Sequence, residues 1–261
     1  MAELLFWPAL LAYGEAAVAY AGDVRQPGSF GRAATWGVRV GWLVQTALLI
    51  AQAARADGFP WDTWAGSLNL FVWLVVGAYL IWGCRPRFRL LGLVVMPVAS
   101  LLLAVSYAAG GVAASGKSGY STLFLVLHVG GVLAGFAGLT LAAAIAALYL
   151  WQERQLKRHN PAVLRFRAPS LATLDSLVGR TIAVALPVLT LGMAAGFARL
   201  RHESDVDPLI GLTVLAWAVY GVFLLLRYGA GWRGRRAAYL ALAGFAIVIA
   251  LHLGLSPNHF A

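Results

Sequence analysis

The chain has 261 residues, 61% of them hydrophobic and only 11% charged, with a mean hydropathy of +0.78. That composition belongs to an integral membrane protein and excludes a soluble domain with a large core. The formal net charge of +10 does not point to nucleic acid, because the basic residues stand in short loops between apolar runs, where they report topology.

Eight apolar segments follow one another: Leu4–Ala21, Thr35–Ala54, Leu68–Trp82, Leu90–Gly110, Leu123–Trp151, Thr181–Ala198, Leu209–Leu226 and Ala237–Leu255. The third is short and borrows Gly66 and Ser67. The pattern predicts an all-α, polytopic membrane helical bundle of about eight transmembrane helices, one integral membrane domain over residues 1–261. Nothing resembles an internal repeat. Alternating the sides places loops 22–34, 83–89, 152–180 and 227–236 inside, with two, three, six and four Lys plus Arg, fifteen of the twenty in the chain. Only Arg55, Lys117, Arg199 and Arg201 lie outside, so the bias puts both termini outside. No A-x-A-like site follows a short apolar run, so no cleavable signal peptide is expected. The one cysteine, Cys84 in an inner loop, rules out an internal disulfide and any paired-cysteine redox or zinc motif.

The fifth segment organises the rest. Leu123–Trp151 is 29 residues long and carries no Asp, Glu, Lys or Arg and one histidine, His128, six residues in from Thr122. At ~1.5 Å per residue that is roughly 9 Å below the outer end, a depth at which a polar side chain is expensive and commonly functional. His202, His252 and His259 also fall toward the outer side, whereas His159 lies in the basic inner loop. Several imidazoles at one depth suit a metal or haem iron, although for each alone a hydrogen-bonded structural histidine is the commoner case.

Other intramembrane groups have plainer readings. Glu15 and Arg39, in adjacent spans, are expected to form a buried structural pair. Asp175 is expected to cap the sixth helix and Arg180 to snorkel. Gly130, Gly131, Gly135 and Gly138, with Ala134, permit close approach of a helix or of a flat ligand, helix packing being the commoner use. Trp61 and Trp64 suit the interface belt, and loop 199–208 mixes charges of both signs. There is no P-loop, G-x-S-x-G, H-E-x-x-H or C-x-x-C-H, and no nucleophile with a base, so no enzyme activity is expected.

Several stretches resemble the cytochrome c assembly family, the CcsA/CcmC/HemX-type haem-handling membrane proteins. They are LHVGGVLAGFAGLTLAAAIAALYLWQERQLK, then LDSLVGRTIAVALPVLTLGMAAG, then GWRGRRAAYLALAGFAIVI with the terminal NHF, and earlier DGFPWDTWAGSLNLFVW. The likeness covers roughly residues 55–261. Where that family carries a tryptophan-rich WWD segment this chain has RLRHESDVDPLIG, without tryptophan. Its intramembrane histidine positions fall at Gly58 and near Leu226-Arg227, and its ESL glutamate at Gly66. The chain is most similar to the HemX-like branch.

The resemblance implies a haem-handling protein of the bacterial inner membrane, acting in cytochrome c biogenesis. Its cofactor would be haem b, bound stably or in passing. His128 and His259 match the two outward-facing axial ligands to haem iron, with His252 as the fallback. The implied partners are the bilayer, haem and other cytochrome c maturation proteins, and no nucleic acid. Two alternatives are a membrane regulator of haem biosynthesis without stable haem binding and, with less support, a small-molecule transporter.

Overall fold

In hydrocarbon every backbone N–H and C=O must be satisfied within its own segment, and the apolar runs accordingly fold as helices. The computed structural model describes residues 2–25, 28–56, 59–61, 63–83, 88–112, 121–158, 169–200 and 208–254. Among these there are eight long helices and no strand: α1 (Ala2–Arg25), α2 (Ser29–Ala53), α3 (Trp64–Gly83), α4 (Arg89–Ala108), α5 (Thr122–Lys157), α6 (Leu171–Leu200), α7 (Pro208–Gly229) and α8 (Arg235–Gly254). Seven of them, α1 to α7, are long and apolar enough to cross a bilayer. The chain is a multi-pass membrane protein.

Three expected boundaries move by six residues or more, the first being the start of α2, which lies at Ser29 rather than Thr35. α5 continues through Gln152–Lys157, because this polar stretch is made of good helix formers and Lys157 reaches back to Glu153 one turn earlier, 2.6 Å away. α6 starts ten residues before Thr181, at Leu171. The cap is Ser170, whose Oγ accepts the Thr173 N–H at 3.2 Å, so Asp175 is not the cap expected from the sequence.

The chain divides after Leu125 into two compact units. In the first, α1 packs on α2 and α4, and α3 packs on α2 and α4. Phe6, Tyr13, Tyr20 and Tyr79 are among its largest buried side chains. Uncharged polar groups cross its centre in a chain. Tyr13 donates to Gln45 Oε1 at 2.7 Å, Gln45 donates to Asn69 Oδ1 at 2.9 Å, Asn69 to Gln52 Oε1 at 3.2 Å, and Gln52 to the Gly111 carbonyl at 2.9 Å. That last acceptor is presented by a Schellman turn closing α4, in which Gly111 N–H returns to Ser106 O and Gly110, at φ +83°, donates to Tyr107 O. Gln45, Gln52 and Asn69 are buried, so the network joins α1, α2, α3 and the end of α4 without burying a charge.

The expected Glu15–Arg39 pair is absent. α1 turns Tyr13 and Ala16 inward and leaves Glu15 exposed, while the Arg39 guanidinium stands 5.2 Å over the Trp36 ring. An exposed carboxylate and a guanidinium held on its own helix have no geometry in which to meet.

In the second unit α5 packs on α6 and α8, and α7 packs on α6 and α8. Trp217 of α7 donates to Thr190 Oγ1 of α6 at 2.9 Å, and Tyr220 donates to the Ala241 carbonyl of α8 at 3.1 Å. The division after Leu125 falls where the α-helical ladder of α5 gives way to a π-turn, Val126–Gly130.

Candidate functional site

His128 lies in the middle of that π-turn. Such insertions widen the backbone ring and re-aim one side chain, and they recur at functional positions. Here the ring is aimed at α6, where His128 Nδ1 is 2.8 Å from the Gly192 carbonyl oxygen. A carbonyl can only accept, so Nδ1 carries the proton and the imidazole lone pair sits on Nε2. This is the arrangement in which a backbone carbonyl fixes the tautomer and direction of a metal-ligating histidine.

The approach depends on missing side chains. A Cβ on Gly196 would lie 2.5 Å from His128 Cε1 and 2.7 Å from Nδ1. Below His128 the two helices close to backbone contact: a Cβ on Gly131 would meet Gly192 Cα at 3.0 Å, one on Gly135 would meet Leu189 Cβ at 2.6 Å, and one on Gly138 would meet Ala185 Cβ at 2.7 Å. The glycines therefore serve helix packing, the commoner of the two uses expected of them. The room for a flat ligand at Gly131 and Gly135 is taken by α6 itself, and of the four only Gly130 faces open space. Around the half-buried His128, Leu123, Val126 and Leu127 are exposed apolar side chains.

Of the other sequence candidates, His259, His159 and His202 lie outside the described residues. His252 is in α8, with its side chain outside them. Loop residues 201–207 and Cys84 are likewise outside. Among the described residues no three His, Cys, Asp or Glu side chains gather as a metal site. An axial pair needs only two imidazoles, and His128, with its lone pair on Nε2, fits one place of such a pair.

A second cluster went unread in the sequence. Asp175 takes Arg227 in a fork, Oδ2 at 2.9 Å and Oδ1 at 3.2 Å. Its backbone carbonyl accepts a further Arg227 N–H at 2.9 Å, and Oδ1 accepts the Gly234 N–H at 2.7 Å. Gly234 adopts φ +68°, which aims that N–H as the chain turns into α8. The pair is little exposed, at 9% and 14% of the side chains, and it ties together α6, α7 and the turn before α8. Arg227 stands near the place where the family resemblance puts an intramembrane histidine. The 52-residue separation hid the pair, though an Asp and an Arg at the same end of two apolar runs were a usable signal.

His128 and this cluster mark opposite ends of the second unit. Tyr149, which lines the cavity beside Asp175, is 21 residues along α5 from His128, about 30 Å at ~1.5 Å per residue and hence one hydrocarbon thickness.

The family model described as "Cytochrome C assembly protein" matches residues 61–256. The chain is 29% identical to the cytochrome c biogenesis protein CcsA of Gloeothece citriformis, over 85% of this chain and 84% of that one. It is 27% identical to CcsA of Guillardia theta, over 81% and 78%, and 26% identical to Protein HemX of Brevibacillus brevis, over 84% and 82%. No solved structure matches.

Proposed function

We propose, given that this chain belongs to the cytochrome c assembly protein family, that it serves cytochrome c maturation as an accessory haem-handling protein of the bacterial inner membrane. It holds haem b near the outer face between His128 and His259. The observation that carries this reading is the 2.8 Å contact of His128 Nδ1 with the Gly192 carbonyl, which presents Nε2 as the donor atom. Bound haem supplies the iron and its redox chemistry. The chain's own part is to fix one imidazole on a rigid helix pair, to supply the second from His259, and to offer exposed leucine and valine at the helix surface. The whole chain works as one membrane domain, with both termini outside and the Asp175–Arg227 end inside, an orientation that the fifteen-to-four charge bias supports.

Absorption spectroscopy of the detergent-purified protein tests the haem reading. A Soret band of low-spin, bis-imidazole iron is the expected result, and failure to bind haem on titration contradicts it. For the orientation, Cys84 is expected to label in intact cells only with a membrane-permeant thiol reagent. Labelling by an impermeant reagent contradicts the outward termini. The likeness to Protein HemX favours one second reading, a regulator of haem synthesis that holds no haem. Under it the spectrum is empty, and deleting the gene changes the abundance of haem-synthesis enzymes.

A further inference from the structure

At the Asp175 end of the second unit an open cavity of about 490 Å³ is lined by Tyr149, Asp175, Ser176, Arg180, Arg227 and Arg233, among others. Three guanidiniums there face one carboxylate. Asp175 is committed to Arg227, whereas Arg180 and Arg233 are exposed and no carboxylate among the described residues pairs with either. The surroundings do not relieve them. This end carries Arg154, Lys157, Arg158, Arg180, Arg227, Arg233, Arg235 and Arg236 against Glu153 and Asp175, and Glu153 is taken by Lys157. Like charges so gathered repel unless an anion sits among them.

The position and the walls say which anion. α5, α6 and α7 span the membrane, so their ends lie at headgroup level. Tyr228, 66% exposed beside Arg227, is the amphipathic aromatic that settles at that level, and Leu171 and Ala172 give the cavity an apolar side. Guanidinium forks match phosphate oxygens two at a time. We propose that this cavity is a binding site for the phosphate of an anionic phospholipid, gripped by Arg180 and Arg233. Asp175 holds Arg227 in place as the rear wall. A soluble phosphate shares the anionic chemistry but would make no use of the apolar side.

Native mass spectrometry of the full chain, titrated with phosphatidylglycerol and separately with phosphatidylcholine, tests this. Wild type is expected to retain phosphatidylglycerol about 30-fold better, the scale of two basic residues at an anionic surface. R180Q/R233Q should lose that preference, R180K/R233K, which keeps the charges but not the forks, should recover only part of it, and R158Q/R236Q, changed outside the cavity, should keep it. Inorganic phosphate at millimolar concentration should not displace the lipid. Equal retention of the two lipids by wild type, an undiminished preference in R180Q/R233Q, or no recovery in R180K/R233K would overturn the proposal. Displacement by inorganic phosphate would overturn the lipid as occupant and leave a site for soluble phosphate.

Discussion

Gly196→Ala isolates what the orientation of His128 contributes. The new Cβ would stand 2.5 Å from His128 Cε1, and the ring must retreat by about 1 Å to reach the ~3.5 Å of an ordinary carbon contact. A retreat of that size stretches the 2.8 Å contact with Gly192 O past any hydrogen bond. The lost bond costs about 1 kcal/mol, and replacing glycine by alanine inside a helix returns up to about 1 kcal/mol. Thermal stability should therefore shift by no more than a few degrees. Haem retention should not be spared: without the carbonyl the imidazole loses its fixed tautomer and direction, and loss of such an outer contact typically weakens metal binding about 10- to 100-fold. The assay is haem titration followed at the Soret band, run beside thermal unfolding in the same detergent. Gly221→Ala, whose Cβ would meet nothing within 4 Å, is the control and should change neither. A folded G196A protein with wild-type haem affinity and spectrum would refute the argument that the Gly192 carbonyl prepares His128.

Two further predictions concern stability. Asp175→Asn leaves Arg227 without its carboxylate in a little-exposed position and should cost about 3 kcal/mol in detergent unfolding, whereas the double change D175N/R227Q should cost less than the two single changes together; additive losses would show that the pair is not coupled. Gln45→Leu strands the Tyr13 hydroxyl and Asn69 Oδ1 in the first unit, with an expected loss of about 1–3 kcal/mol, and a variant as stable as wild type would mean that the buried chain of amides carries no net stabilisation.

Order, number and class of the helices could be read from the sequence because apolar length is a one-dimensional property, and a bilayer imposes it directly. His128 was legible for the same reason, as the one histidine in a long apolar run without Asp, Glu, Lys or Arg. Its partner was not. The Gly192 carbonyl is a backbone group 64 residues away, and it accepts the imidazole only because a π-turn re-aims the ring and Gly196 has no side chain. Charges at span ends misled in both directions. Glu15 and Arg39 looked paired by depth, but depth says nothing of azimuth around a helix, and Glu15 points outward. Asp175 was read as a local cap when its partners are Arg227 and the Gly234 amide, contacts set by how α6, α7 and α8 converge. The amides of Gln45, Gln52 and Asn69 drew no notice because uncharged side chains barely register in a hydropathy profile, although buried together they join four helices.

The most direct measurement of the central claim is the absorption spectrum of the purified protein compared with those of H128A, H259A, H252A and H159A. Wild type should show low-spin, six-coordinate haem. H128A and H259A should each lose haem or pass to a five-coordinate form, because each removes one of two axial imidazoles, while H252A and H159A should match wild type. An unchanged low-spin spectrum in both H128A and H259A, with its loss in H252A, would contradict the axial pair on which the account rests.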